Sequence, residues 1–341
     1  MANKAIQKGE LVLITGGTGW VGSHIVDKAL EHGLKVRLAI RSEEKAKGLI
    51  EGLRSKYGKN APIETTIVKD FNADDAYVEA VKGVQGIIHA ASNLSFSDKW
   101  DEVVPPTVQG YRSLLNAAHA QGDAIKRVVV TSSSIALGTP NLDPSKPTQH
   151  FDVKTWNDAS LEEAKVKPNA VNIYAASKVL SERFTWDFVK ENKPSFIVNT
   201  VNPNFVTGEK TIGTDYLSTG NMLRNVVFKA DGNITELLQS QFIVDANDVA
   251  ILHILAATRE DIVGERLLAF SEVFDWSQIV DLAQKYAPDQ VNAPPKTEKW
   301  SIRDNTIVDT KRTQELLKPY GGFKSVEESV RLNLQQDVAA H

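Results

Sequence analysis

Residues 11–22, Leu-Val-Leu-Ile-Thr-Gly-Gly-Thr-Gly-Trp-Val-Gly, constrain the fold more than any other stretch of the chain. Residues 11–14 form a continuous apolar run, as in a strand buried on both faces of a parallel sheet. Glycines follow at 16, 19 and 22, and Ile25, Val26, Ala29 and Leu30 then recur at helical spacing up to Gly33. Strand, tight turn and helix make a βα unit. Gly16 and Gly19 lack Cβ, so an anion can approach the backbone, and the N–H groups opening the helix favour negative charge. Gly22 lets helix and strand pack closely. The spacing G-x-x-G-x-x-G departs from the common G-x-G-x-x-G fingerprint, and alone it also suits an ordinary βα turn. With a strand before it and a helix after, it points to a dinucleotide site.

Further strands are expected at 36–40, 63–68, 84–89 and 127–130, separated by a basic helical stretch at 42–57, a short helix at 76–81 and a helix carrying Leu114, Leu115, Ala117 and Ala118. Pro105 and Pro106 suit the first turn of that last helix, where a missing N–H costs little. Five strands alternating with helices predict an α/β fold, a doubly wound parallel sheet of Rossmann type. Such sheets bind ligands outside the carboxyl ends of their strands, where Gly16, Arg41, Asp70, Ala90 and Ser133 all fall. The sequence suggests a mainly dinucleotide-binding domain at 1–205 and a smaller, mainly substrate-binding lobe at 206–341, with 242–270 returning a strand and helix to the first. The segment 138–172 reads as a surface insertion, 174–191 as a strong helix and 197–201 as a sixth strand. No simple pattern fits 208–241, and long loops of that kind often cover sites. Helices are expected at 276–286, 309–317 and 326–334.

Composition excludes several classes. The 341 residues carry a net charge of −4, which disfavours nucleic acid or an anionic membrane as partner. There is no cysteine, hence no disulfide, thiolate nucleophile or cysteine metal site. The remaining His and carboxylates lack metal-ligand spacing, so no metal is expected. His89 and His253 sit among apolar residues and read as core histidines. Residues 1–10 are short and polar, and no run approaches a membrane span, so the cytoplasm is the expected location.

A second signal is Tyr174-Ala-Ala-Ser-Lys178. Four-residue spacing puts phenol and ammonium on one helix face. A free phenol titrates near 10, and a neighbouring cation lowers that value toward one useful for proton donation. Joined to the glycine turn and the serine run that ends the fifth strand, this motif gives the chain its likeness to a known family. Thr15-Gly-Gly-Thr-Gly-Trp-Val-Gly22, Ile88-His-Ala-Ala-Ser92, Val130-Thr-Ser-Ser-Ser134, Tyr174-Ala-Ala-Ser-Lys178 and Asn202-Pro-Asn-Phe-Val206 resemble the extended short-chain dehydrogenase/reductases. The likeness is to their dihydroflavonol reductase-like branch, which includes fungal NADPH-dependent aldehyde and carbonyl reductases.

The resemblance implies that Tyr174 donates a proton to a substrate carbonyl and that Lys178 lowers its pKa and holds the nicotinamide ribose. The family's serine falls on Ser133, with Ser132 and Ser134 as competing placements; Ser134 could instead line the pocket. The cofactor would meet Thr15, Gly16, Gly19, Trp20 and Val21 of the glycine turn, Asp70 and Phe71 beside the adenine, and Ala90, Ser92, Pro203 and Val206 at strand ends. Phe96, Phe205, Met222 and Leu223 would wall an apolar substrate pocket. Thr107-Val-Gln-Gly-Tyr111 stands where relatives have a pattern such as N-V-x-G-T, so a relay through Asn is in doubt, and Thr107 or backbone groups would hold its water. Arg41, 19 residues past Gly22 and followed by Lys45, stands where NAD enzymes place an acid. A planar cation there suits a 2′-phosphate and points to NADP(H). The expectation is an enzyme that reduces an aldehyde or ketone to an alcohol, as a monomer or homodimer. A nucleotide-sugar epimerase or dehydratase, or a non-catalytic dinucleotide sensor, are the competing readings.

Overall fold

The computed structural model describes residues 4–335 except 94, 96 and 216. Strands and helices alternate at first: β1 (Leu11–Thr15), α1 (Trp20–Glu31), β2 (Lys35–Ile40), α2 (Glu43–Tyr57) and β3 (Ile63–Ile67). Then come β4 (Gly86–His89), α3 (Trp100–Ala120), β5 (Arg127–Thr131), β6 (His150–Phe151), α4 (Ala159–Val166), α5 (Ala170–Asn192) and β7 (Ile197–Pro203). The rest contains β8 (Phe205–Thr207), α6 (Ser218–Lys229), α7 (Gly232–Leu237), β9 (Gln241–Asp245), α8 (Ala246–Thr258) and β10 (Arg266–Ala269). It closes with β11 (Glu272–Phe274), α9 (Trp276–Tyr286), β12 (Ile307–Val308), α10 (Lys311–Leu317) and α11 (Val326–Gln335).

Seven strands make one parallel sheet in the order β10-β7-β5-β4-β1-β2-β3. The chain moves outward from β1 to β3, then crosses to β4 on the other side of β1, which opens a crevice at the β1/β4 switch point. Both faces of the sheet are covered, which is why its central strands read as unbroken apolar runs. Val12, Ile14 and Val129 pack on one side with Ile25 and Val26 of α1 and Val249 and Leu252 of α8. Leu13, Val128 and Val130 pack on the other with Leu114 and Leu115 of α3 and Phe188 of α5. Each such fully buried side chain contributes about 1.5–3 kcal/mol.

Three local expectations change. Residues 76–81 form turns rather than a helix: Tyr77, Ala80 and Val81 recur at helical spacing because they are pinned to the α3 side of the sheet, while bonds such as Val78 N–H to Asp75 O close short turns. Helix α3 starts at Trp100, so Pro105 and Pro106 lie inside it rather than in its first turn. Pro106 has no N–H for the carbonyl of Glu102, and Asn93 Nδ2 donates to that oxygen instead, at 3.0 Å. In 208–241 two helices form, α6 and α7; Leu223, Val226 and Val227 of α6 join a cluster with Phe274, Trp276, Ile279 and Val330. Within 242–270, α8 and β10 belong to the large sheet and its cover, whereas β9 pairs with β8 and β11 in a separate three-stranded sheet. No helix among the described residues is long and apolar enough to cross a membrane.

Candidate active site

The β1–α1 turn is set by close backbone packing. Gly16 has φ +68°, and a Cβ there would lie 2.6 Å from the nitrogen of Ala91 after β4. A Cβ on Gly22 would lie 2.0 Å from the carbonyl oxygen of Gly16. Both positions therefore need glycine for the fold itself, before any ligand is considered. A Cβ on Gly19 would meet only the Gly16 oxygen, at 3.2 Å, so the space above it is open. Helix α1 begins after Gly19 with no side chain capping its first N–H groups, which leaves an electropositive helix end facing the crevice. The Trp20 side chain turns away: its Nε1 donates to Val206 O at 3.2 Å and its ring packs on Gly220, tying α1 to β8 and α6.

Thr15 Oγ1 accepts from Ala91 N–H at 3.2 Å and lies 2.7 Å from His89 Nδ1. The imidazole is neutral: burial, with Lys178 nearby, pushes His89 down to about 3. His253 is also neutral, pushed down to about 4 by burial, with Nε2 2.8 Å from Thr131 Oγ1. Ala90 holds the β4 end to β1 through its N–H to Thr15 O. Beside it, the buried Ser92 Oγ has no partner among the described residues. At the end of β2, Arg41 and Lys45 are exposed, and no hydrogen bond or ion pair to either occurs among the described residues. Glu43 is turned toward β3, accepting from Thr65 Oγ1. Asp70 caps its own turn by accepting from Asn72 N–H, and the Phe71 ring stacks on Tyr77.

At the ends of β5 and β7 the three serines separate. Ser132 is buried and its hydroxyl donates to Glu182 Oε2 at 2.5 Å. Ser133 accepts from Ile135 N–H and is hydrogen-bonded to the Tyr174 phenol. Ser134 opens a short 3-10 turn. Helix α5, capped by Asn169 Oδ1 on the N–H groups of Val171 and Asn172, presents Tyr174 and Lys178 one turn apart. Lys178 Nζ lies 6.0 Å from the Tyr174 ring centroid and donates to Thr131 O at 3.3 Å. Burial brings Lys178 down to about 8, with the Glu182 carboxylate opposing. The phenol differs from expectation: desolvation raises the Tyr174 pKa, and the bond to Ser133 only partly offsets this. The raised value leaves the phenol protonated at neutral pH, the form a proton donor needs.

Thr107 spends its hydroxyl proton on Val103 O, 2.6 Å away inside α3. One turn on, Tyr111 OH donates to Thr131 O at 3.3 Å, the same carbonyl that Lys178 uses. Of the apolar walls expected, Phe205 and Leu223 are packed in the core with Phe274 and Trp276, Met222 is half-buried, and Phe96 lies outside the described residues. Pro203 and Val206 are buried at the ends of β7 and in β8. Glu182 and Arg266, both buried against this site, went unread in the sequence; the four-residue step from Tyr174 through Lys178 to Glu182 was the available signal for the first, and nothing marked the second.

This geometry can be set beside known proteins. The model of the NAD dependent epimerase/dehydratase family matches residues 12–266. Aldehyde reductase 2 of Sporidiobolus salmonicolor is 34% identical over 339 residues, 96% of each chain. The ketoreductase adrE of Penicillium rubens is 35% identical over 321 residues, covering 93% of this chain and 92% of its own. The crystal structure of the NADPH complex of Gre2 from Candida albicans superposes with a TM-score of 0.83 at 27% identity, over 97% of this chain and 99% of that one. The similarity runs along nearly the whole length: the chain belongs to the NAD dependent epimerase/dehydratase family, the extended short-chain dehydrogenases/reductases.

Proposed function

We propose that the protein reduces an aldehyde or ketone to the alcohol with NADPH. The observation that carries this reading is the placement of the Tyr174 phenol, hydrogen-bonded to Ser133 and one helical turn from Lys178, at the carboxyl ends of the sheet. The similarity to fungal aldehyde and keto reductases supports it.

The residues fit a phosphorylated dinucleotide. The crevice offers an uncapped helix end, an open approach over Gly19, and, without a partner among the described residues, the Ser92 hydroxyl and the cations Arg41 and Lys45. Arg41 would grip a 2′-phosphate through its planar fork, with Lys45 adding charge. Asp70 and Phe71 would flank the adenine; Thr15, Gly16, Trp20 and Val21 would frame the phosphates through their backbone. Ala90, Ser92, Pro203, Val206 and Lys178 would line the nicotinamide end. The bound cofactor supplies the hydride that goes to the carbonyl carbon. Ser133 orients the carbonyl oxygen by a hydrogen bond, and the Tyr174 hydroxyl gives that oxygen its proton. The buried ammonium of Lys178 steadies the phenolate left behind. Ser134 and Met222 are the described residues left to shape a substrate wall. The large sheet with its helices, mainly 1–205, would carry the cofactor and the lobe mainly built from 206–341 the substrate, in a cytoplasmic monomer or homodimer.

The test is oxidation of NADPH and of NADH against a panel of carbonyls: methylglyoxal, an aliphatic aldehyde, a β-keto ester, an aryl ketone and a dihydroflavonol. Turnover with NADPH and not with NADH is the expected result. No oxidation with either, together with NAD retained through purification, would replace the reductase reading with an epimerase one.

A further inference from the structure

A buried charge network lies against the Ser133–Tyr174–Lys178 group and takes no part in the chemistry proposed above. Tyr174, Lys178 and Glu182 follow one another along one face of α5. Glu182 is only 1% exposed, a rare state for a carboxylate unless it is paired. It accepts from Ser132 Oγ at 2.5 Å, Asn202 Nδ2 at 2.8 Å and Thr200 Oγ1 at 3.2 Å. It also receives Arg266 Nε at 2.7 Å and Nη2 at 3.3 Å. Arg266 in turn donates to the carbonyls of Val153 and Thr155, and its guanidinium lies 4.1 Å from the Trp156 ring centroid. Ser132 directly precedes Ser133, and Asn202 Nδ2 lies 3.4 Å from the Ser133 carbonyl. One carboxylate therefore joins the segment after β5, α5, β7 and β10 around the site, and Arg266 extends the tie to residues 153–156.

Burying an ion pair does not by itself stabilise a fold, since desolvation offsets the attraction. What this pair does achieve is a fixed negative charge one helical turn from Lys178, matched by an attached cation. We propose that Glu182 and Arg266 are positioning residues that set the charge state of Lys178 and the placement of Ser133. The catalytic consequence, though not the charge effect, rests on the reductase reading. The other groups facing Lys178 are Tyr174 on α5, neutral His89 at the end of β4, and the Tyr111 phenol of α3, which shares the Thr131 carbonyl with it. Among these neighbours Glu182 brings the negative charge, and Arg266 acts through it.

The two partners then have opposite effects. Glu182→Gln removes the carboxylate that favours the ammonium and leaves a buried cation beside it. Arg266→Met leaves the carboxylate in place, still held by Ser132, Asn202 and Thr200. A purely structural pair would disturb Lys178 in the same direction whichever member is lost.

The experiment is an NMR titration of the full chain carrying isotope-labelled lysine, with the Lys178 Nζ signal assigned by its loss in Lys178→Met. The midpoint is expected to fall by about one pH unit or more in Glu182→Gln, to rise in Arg266→Met, and to return close to the unsubstituted value in the double variant. The alkaline limb of kcat should move with it. Shifts of the same sign in both single variants, or none in either, overturn the proposal. If Glu182→Gln does not fold, Arg266→Met still decides, because an unchanged or lowered midpoint there overturns it. The titration uses neither NADPH nor a carbonyl. Opposed shifts without turnover would therefore count against the reductase reading and leave the charge effect standing.

Discussion

Two buried cations stand at opposite ends of the central sheet, and their environments differ. At the amino end of β5, Arg127 is 1% exposed and every arm is engaged: Nε donates to Lys4 O at 3.0 Å, Nη2 to Arg259 O at 2.9 Å and Nη1 to Ile262 O. At the carboxyl end, Lys178 is 3% exposed and, among the described residues, makes one long bond, to Thr131 O at 3.3 Å. Burial of a satisfied cation closes a gap in the fold; burial of an under-satisfied one keeps donors ready for a ligand. The two ends of the same strands thus differ in how far their buried cations are satisfied.

Substitutions should separate the two ends. Tyr174→Phe sharpens the contrast most: carbonyl turnover is expected to fall by about 10²–10⁴-fold, with thermal stability and NADPH affinity, read by fluorescence titration, nearly unchanged. Full turnover in that variant would break the assignment of chemistry to the carboxyl end.

Lys178→Met and Arg127→Met should act oppositely in denaturant unfolding. Arg127→Met leaves buried carbonyls without a donor, at a cost of about 2–4 kcal/mol, and spares turnover in the folded fraction. Lys178→Met ends turnover but relieves a cost. Lys178 has a folded value of about 8 against an ordinary 10.5, so at neutral pH its charge costs the fold about 3 kcal/mol. Between those values the unfolded chain holds the extra proton, so this contribution makes stability rise with pH from about 8 toward 10.5, and the rise should vanish in Lys178→Met.

A smaller effect is expected at Arg41. Arg41→Ala should weaken NADPH binding by about 10–100-fold while changing NADH binding little, which calorimetry with each nucleotide would read. Equal loss for both nucleotides would take Arg41 out of the 2′-phosphate site. Thr107→Ala should do least: its hydroxyl is spent within α3, and a change in kcat beyond about threefold would show that it does more than bond Val103.

Much of this arrangement could be read from spacing alone. The apolar run at 11–14 and the glycines behind it predicted a parallel strand and a turn, and Tyr174 and Lys178 were bound to share a face once they lay on one helix. Where the reading stopped, the missing information was a partner far along the chain. Which of Ser132, Ser133 and Ser134 meets the phenol depends on how the end of β5 sits against α5, and Ser132 is drawn away by Glu182, 50 residues on. Pro105 and Pro106 looked like a helix start because the acceptor relief at Glu102 comes from Asn93 outside the helix. Phe205 and Leu223 are apolar whether they wall a pocket or fill a core, and only their packing against Phe274 and Trp276 distinguishes the two.

The sequence by itself determined the sheet, the turn and the shared helix face of Tyr174 and Lys178, because backbone periodicity and glycine geometry act between near neighbours. Tertiary structure alone decided which polar groups are satisfied. Arg266 meets Glu182 across 84 residues and Arg127 reaches carbonyls 123 to 135 residues away. Whether a buried donor finds an acceptor is a property of the packed molecule, and on that property depends whether a cation holds the fold or serves the site.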